Sequence, residues 1–340
     1  MNSIKEKIHS FKGNNLLWII FLVVILYVIL AQFLDVGVLL ITRIIPGQSS
    51  SMKFINESYT TTIGSVILLF IVCLTVKKNH FIFRSFLPKG AEKDHKIEVV
   101  EDTYEPPQEN TPKNMLIGLI IGFITNGACV LCAFIHGDLK FYLDFSIAMV
   151  PTLIYALLMV FIQSSSEELW CRGFLYERIC IHYPLWVAVL VNGAFFGFLH
   201  IFNPGATVLA ITDIIVCGLS YSLVKWYTGS IWMAMGIHTM WNFTQNFIFG
   251  LPNSGLVSET SIFHLDAMNA VSNLIYDYNF GVEGAVPAII VDTVLGAACL
   301  LLAKKDGRLG ELTMSYEKKA ELARQAEIND APVIPDQDNL

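Results

Sequence analysis

Two adjacent carboxylates and a guanidinium, Glu167, Glu168 and Arg172, stand inside a run that otherwise reads as membrane-spanning helix. Placing an ionisable side chain at bilayer depth costs ~2.5–3.5 kcal/mol on insertion scales, so a cluster of them marks a functional site by default. Glu168 and Arg172 are four residues apart in the favourable order for a helical ion pair. Glu167 points about 100° away from Glu168 on a helix and has no cation nearby in sequence. A poorly solvated carboxylate without a paired charge suits a general base working near neutral pH. Glu167 is therefore the candidate base, with Glu168 and Arg172 as its supporting pair.

Two further polar clusters lie downstream, at His200 and at His238 with Asn242. Depth arithmetic decides whether they can meet Glu167. With the turn between two antiparallel helices centred near Tyr183, Glu167 lies 16 residues before it and His200 lies 17 after it. At ~1.5 Å per residue both sit about 25 Å from that turn. From a turn near Thr228, His238 and Asn242 lie about 15 and 21 Å in, and being i, i+4 they share one face. Any one of these residues alone reads equally well as a structural group: an ion pair fixing helix packing, or a side chain bridging helices by hydrogen bonds. The three triplet serines, Ser164 to Ser166, have no histidine near them in sequence and read as satisfying backbone groups. Polar clusters on three helices at one depth favour a reaction site.

Together these residues resemble the CAAX prenyl protease and bacteriocin-processing family of intramembrane proteases, also called CPBP or Abi. Its pattern is EExxxR, FxxxH and HxxxN on successive membrane helices. Here the boxes read Glu167-Glu168-Leu169-Trp170-Cys171-Arg172, Phe196-Gly197-Phe198-Leu199-His200 and His238-Thr239-Met240-Trp241-Asn242. The resemblance is specific over 151–249, with a weaker echo in 251–255 and 280–284. It implies that Glu167 and His200 activate a water and that His238 and Asn242 stabilise the oxyanion formed when that water attacks a peptide carbonyl, with Glu168 and Arg172 orienting the site. A metal-free reaction is favoured; the alternative is a zinc site using Glu167, His200 and His238, a three-ligand set of the catalytic type, although no HExxH is present.

The elements that must position these residues are membrane helices. Of 340 residues, 54% are hydrophobic and 15% charged, the mean hydropathy is +0.56, and ordinary soluble domains carry nearer ~25% charge. The expected fold is all-α, a polytopic membrane helix bundle of about eight transmembrane helices, over 16–34, 61–76, 115–134, 146–179, 184–202, 206–227, 230–249 and 286–303. The expected organisation is 1–76 for the first two helices, 77–114 for a polar cytoplasmic loop, 115–303 for the protease-like membrane domain and 304–340 for a charged cytoplasmic tail ending in a disordered PVIPDQDNL. Lysine and arginine concentrate on one set of connections, whereas Arg43, Lys53 and Lys140 alone occupy the other and 250–285 has none; by the positive-inside rule both termini are cytoplasmic. The apolar run at 16–34 is too long for a signal-peptide core and is read as a retained span. The net charge of −7 and the apolar spans give nucleic-acid binding no support. Seven cysteines imply no disulfide framework, and Cys129 with Cys132, three apart on one helix, read as packing groups.

The leading function is therefore an intramembrane endopeptidase, glutamate-type or metallo-type, acting on a membrane-associated peptide or protein, lipidated or not, in a bacterial plasma membrane. Bacteriocin processing, immunity and surface-protein maturation are its candidate settings. The competing classes are a proton-coupled transporter, since intramembrane Glu and His also build proton relays, and a non-catalytic membrane scaffold or immunity protein. The depth estimate places the site nearer the outer face.

Overall fold

The computed structural model describes residues 20, 26, 29–30, 32–59, 62–75, 88–89, 109–266 and 270–330. The greater part of the first expected span, the loop at 77–108 and the tail beyond 330 lie outside the described residues. The helices are α1 (Gln32–Arg43), α2 (Ser50–Ser58), α3 (Ile63–Thr75), α4 (Pro112–His136), α5 (Val150–Glu168), α6 (Tyr176–His182), α7 (Leu185–Leu199), α8 (Val208–Thr228), α9 (Ile231–Phe243), α10 (Val286–Lys305) and α11 (Tyr316–Asp330). A short antiparallel ribbon pairs β1 (Phe141–Leu143) with β2 (Phe263–Leu265). Among the described residues the fold is all-α apart from this ribbon.

Four helical runs are long and apolar enough to cross a membrane among the described residues: Pro112–His136, Ile147–His182, Val208–Thr228 and Val286–Lys305. Their outward faces are apolar. Ile135, Ile154, Val208 and Leu301 are 75%, 64%, 87% and 68% exposed, and a surface of this kind is matched to lipid tails, where every backbone polar group must be satisfied within the helix. The protein is a membrane protein. The helix ends are capped locally. Thr111 caps α4 by accepting from Asn114 N, with Pro112 at the first position, and Gly137 ends it at φ 95°. Thr207 and Ser230 cap α8 and α9 in the same way. Such caps satisfy amides that the helix leaves orphaned. Ahead of α3, two helices fall outside the expected spans: α1, of which only 32–34 overlaps the first span, and α2, whose sequence SSMKFINES is too short and polar to read as a membrane span.

The helices that carry the second and third boxes are seated by glycines. Gly118 and Gly122 of α4 lie against α9, where a Cβ would meet the carbonyl oxygens of Met233 and Ile237 at 2.3 Å. Gly218 of α8 lies against α7, where a Cβ would come within 2.9 Å of Gly193 Cα. Small residues at i, i+4 let membrane helices approach to backbone contact, and here they fix the height of His238, Asn242 and His200. Gly122→Val is therefore expected to destabilise the folded protein by ~1–3 kcal/mol through overpacking, read as a fall in the detergent-solubilised melting midpoint.

Candidate active site

The 36-residue run Ile147–His182 changes its winding where the chemistry is. After Glu168 it passes into a π-helical segment, Leu169–Leu175, before resuming as α6. A second π segment, Thr244–Ile248, follows Asn242 at the end of α9. Such wide turns cost hydrogen-bond geometry and occur mostly at functional positions. The first of them holds Arg172 fully buried.

Glu168, with no exposed surface, is the hub of the buried charge. Its Oε1 accepts from Arg172 Nη1 at 2.9 Å and from His238 Nδ1 at 3.0 Å. Arg172 Nη2 donates to the Gly218 carbonyl at 3.1 Å, and its guanidinium lies over the Phe196 ring at 4.5 Å and near Tyr221 at 5.5 Å. The aromatic residue that opens the FxxxH box is thus a cation–π platform for the arginine of the first box. Pairing, hydrogen bonding and stacking together offset the desolvation of these charges.

Glu167 is turned elsewhere. Its Oε1 accepts from Gln163 Nε2 at 2.5 Å, and its Oε2 has no hydrogen-bond partner among the described residues. That free oxygen lies 3.8 Å from His238 Nε2. Gln163 also links to the third box, since Asn242 Nδ2 donates to Gln163 Oε1 at 3.3 Å. His200 lines the same cavity of about 440 Å³ as Glu167, His238 and Asn242. Its Nδ1 donates to the Phe196 carbonyl at 2.8 Å, which leaves Nε2 as the acceptor of a neutral ring. Among the described residues His200 makes no hydrogen bond to Glu167.

Residues that the sequence reading passed over complete the wall. Asn253 Nδ2 donates to Asn242 Oδ1 at 3.2 Å and to Glu283 Oε1 at 2.9 Å. Trp241 Nε1 donates to Glu283 Oε1, and the Ser254 amide and hydroxyl donate to Oε2. Burial pushes the Glu283 carboxyl up, and the bonds from Ser254 and Trp241 pull it partway back. The segment 250–285, expected as an outer loop, is thereby part of the site: its two echo segments meet at Glu283 and hold Asn242 from behind. Gln163, four residues before Glu167, carried a helical-spacing signal; Asn253 and Glu283 had only that echo. Glu283→Ala leaves Trp241 Nε1 and the Ser254 amide without this acceptor and is expected to cost ~1–3 kcal/mol per unsatisfied buried group, read as a lowered melting midpoint together with reduced turnover.

Among the described residues no three His, Cys, Asp or Glu side chains converge as a group that could hold a metal ion. Glu167 Oε2 lies 3.8 Å from His238 Nε2, and the Nδ1 atoms of His200 and His238 are engaged by the Phe196 carbonyl and by Glu168. Cys129 is buried and Cys132 exposed, and both are free thiols.

Residues 149–244 match the family model described as type II CAAX prenyl endopeptidase Rce1-like. The stretch begins at the head of the long helix and ends just past Asn242, so it encloses all three boxes. The chain is also 32% identical over 133 residues to YyaK of Bacillus subtilis (strain 168), described as an uncharacterized protein; the alignment covers 37% of this chain and 44% of that relative. The chain thus spans less than half the length of the curated relative it matches. No solved structure matches.

Proposed function

We propose, from the Rce1-like family match at residues 149–244, that the protein is an intramembrane endopeptidase that hydrolyses a peptide bond in a membrane-associated substrate, lipidated or not, with a water activated by Glu167 and His200. The observation that carries this reading is the buried Oε2 of Glu167, which lacks a partner among the described residues, on a residue that lines one cavity with His200, His238 and Asn242. A water held between Glu167 Oε2 and His200 Nε2 loses its proton to the carboxylate as its oxygen attacks the scissile carbonyl. The carbonyl oxygen becomes an oxyanion. Asn242 Nδ2, released from its long bond to Gln163, donates to it. His238 already donates through Nδ1 to Glu168, so donation through Nε2 requires a doubly protonated ring, and Glu168 supplies the compensating charge. Collapse of the intermediate breaks the C–N bond, and the leaving amine takes the proton from Glu167. No step requires a metal.

Glu168 and Arg172 act in this scheme as positioning residues. The apolar wall of the cavity, Phe198, Leu199 and Phe202, suits a substrate reached from the bilayer. With 115–303 as the protease domain between an N-terminal pair of helices, the 77–114 loop and the 304–340 tail, and with both termini cytoplasmic in a bacterial plasma membrane, the wall built from Asn253, Ser254 and Glu283 lies toward the outer face. Comparing membrane peptides from cells with the wild-type protein and with Glu167→Gln tests the function. Uncut precursors should accumulate in the variant; identical peptide sets would reject it.

A further inference from the structure

The cavity has a second acidic wall that the reaction does not use. Asp213 of α8 and Asp292 of α10 are 2% and 3% exposed, and both line the cavity that holds Glu167. Asp213 Oδ1 meets no hydrogen-bond donor among the described residues. The Asp292 carboxylate meets the Cys217 thiol, a weak donor, while Ser220 Oγ donates to the Asp292 backbone carbonyl rather than to its side chain. Among the described residues that line the cavity there is no lysine or arginine, and Arg172 is committed to Glu168 and Gly218. Across the two helices the Asp292 carboxylate of α10 thus meets the weak thiol donor Cys217 of α8, and Asp213 Oδ1 is left without a donor among the described residues.

Buried carboxylates are tolerated when an opposite charge pairs with them. Phe196, Ile214 and Cys217 line the cavity together with the two aspartates, so its wall combines apolar groups with acid. That profile matches a long aliphatic stem with a cationic head, as in lysine or arginine. Membrane-associated chains carry such residues close to the ends of their apolar segments. We infer that Asp213 and Asp292 form a specificity pocket for a lysine or arginine side chain of the substrate, placed beside the peptide bond that faces Glu167. The word substrate rests on the endopeptidase reading; the cation pocket does not.

The test uses the full-length protein in detergent and short N-acetylated peptide amides that differ only in a central Lys, Arg, norleucine or Glu, with equilibrium binding as the readout. Lys and Arg peptides should bind about tenfold more tightly than norleucine, equivalent to ~1.4 kcal/mol, with Glu weakest. Asp213→Asn should reduce that preference to below about threefold while leaving norleucine binding unchanged. Should this variant not fold, Asp292→Asn carries the same comparison. Equal binding of Lys and norleucine by the wild type would overturn the inference, as would a preference unaltered in both variants. An unacetylated norleucine peptide that binds as tightly as acetylated Lys would also overturn it, by assigning the pocket to a free amine. Cleavage of a randomised N-acetylated library in proteoliposomes separates this pocket from the proposed function. Basic-selective binding without any cutting would count against the peptidase and leave the pocket standing; cutting with no enrichment of Lys or Arg near the broken bond would overturn the pocket alone.

Discussion

Glu167→Gln is expected to lower peptide hydrolysis by ~10²–10⁴-fold, the range ascribed to a positioned general base, with the fold retained. Glutamine keeps the volume of the side chain and can present its amide oxygen to Gln163 Nε2, which now donates to Glu167 Oε1. What it loses is the carboxylate oxygen Oε2, which has no partner among the described residues. Glu168 and Arg172 are untouched by the change, because their bonds run to His238 and Gly218. The loss should therefore fall on kcat with little change in KM, and the melting midpoint should stay near that of the wild type. Steady-state kinetics and a thermal melt on the same preparation check both halves. A comparable loss in a variant that no longer melts cooperatively would point to structure rather than chemistry.

Asn242→Ala is the second large effect, an expected fall of ~10²–10³ in kcat, as for removal of one oxyanion donor. Its amide has two engagements in the resting site. Nδ2 donates at 3.3 Å to Gln163, while Oδ1 accepts from Asn253 at 3.2 Å. The second bond fixes the plane of the amide, so Nδ2 projects into the cavity at a set angle. The longer first bond is the one a substrate carbonyl displaces. Asn242→Asp keeps an acceptor for Asn253 and removes the donor, so it should be as impaired as the alanine variant if donation is the role. Recovery of activity in Asn242→Asp would assign the residue to holding Asn253 instead.

The polar boxes were legible because the bilayer makes them so. In a run such as VPTLIYALLMVFIQSSSEELWCRGFL each charge is conspicuous, and helical rise converts sequence distance into depth. Glu167 and His238 do come within 3.8 Å, and His200 lines the same cavity, as the depth estimate requires. The i, i+4 rule likewise found Glu168 with Arg172. It could not find His238 as a further partner of Glu168, because rotation about a helix axis is set by packing, here by Gly118 and Gly122 against α9. The contribution of Asn253, Ser254 and Glu283 was hidden for another reason: loops have no period, and beyond the weak echo in 251–255 and 280–284 no spacing rule marks which polar groups of 250–285 turn inward. Asp213 and Asp292 were visible as lone acids in apolar spans but belong to no box, so spacing gave them no role. The π turns after Glu168 and Asn242 leave no composition signal.

The central claim is that water, activated through Glu167, cuts a peptide bond inside the membrane. Cleavage in H₂¹⁸O by the purified protein in proteoliposomes tests it most directly, with the fragments read by mass spectrometry. The wild type should yield fragments whose new carboxyl terminus carries one ¹⁸O, and Glu167→Gln should yield essentially none over the same time. Labelled fragments formed at the wild-type rate by Glu167→Gln, or fragments from the wild type without the label, would contradict the account.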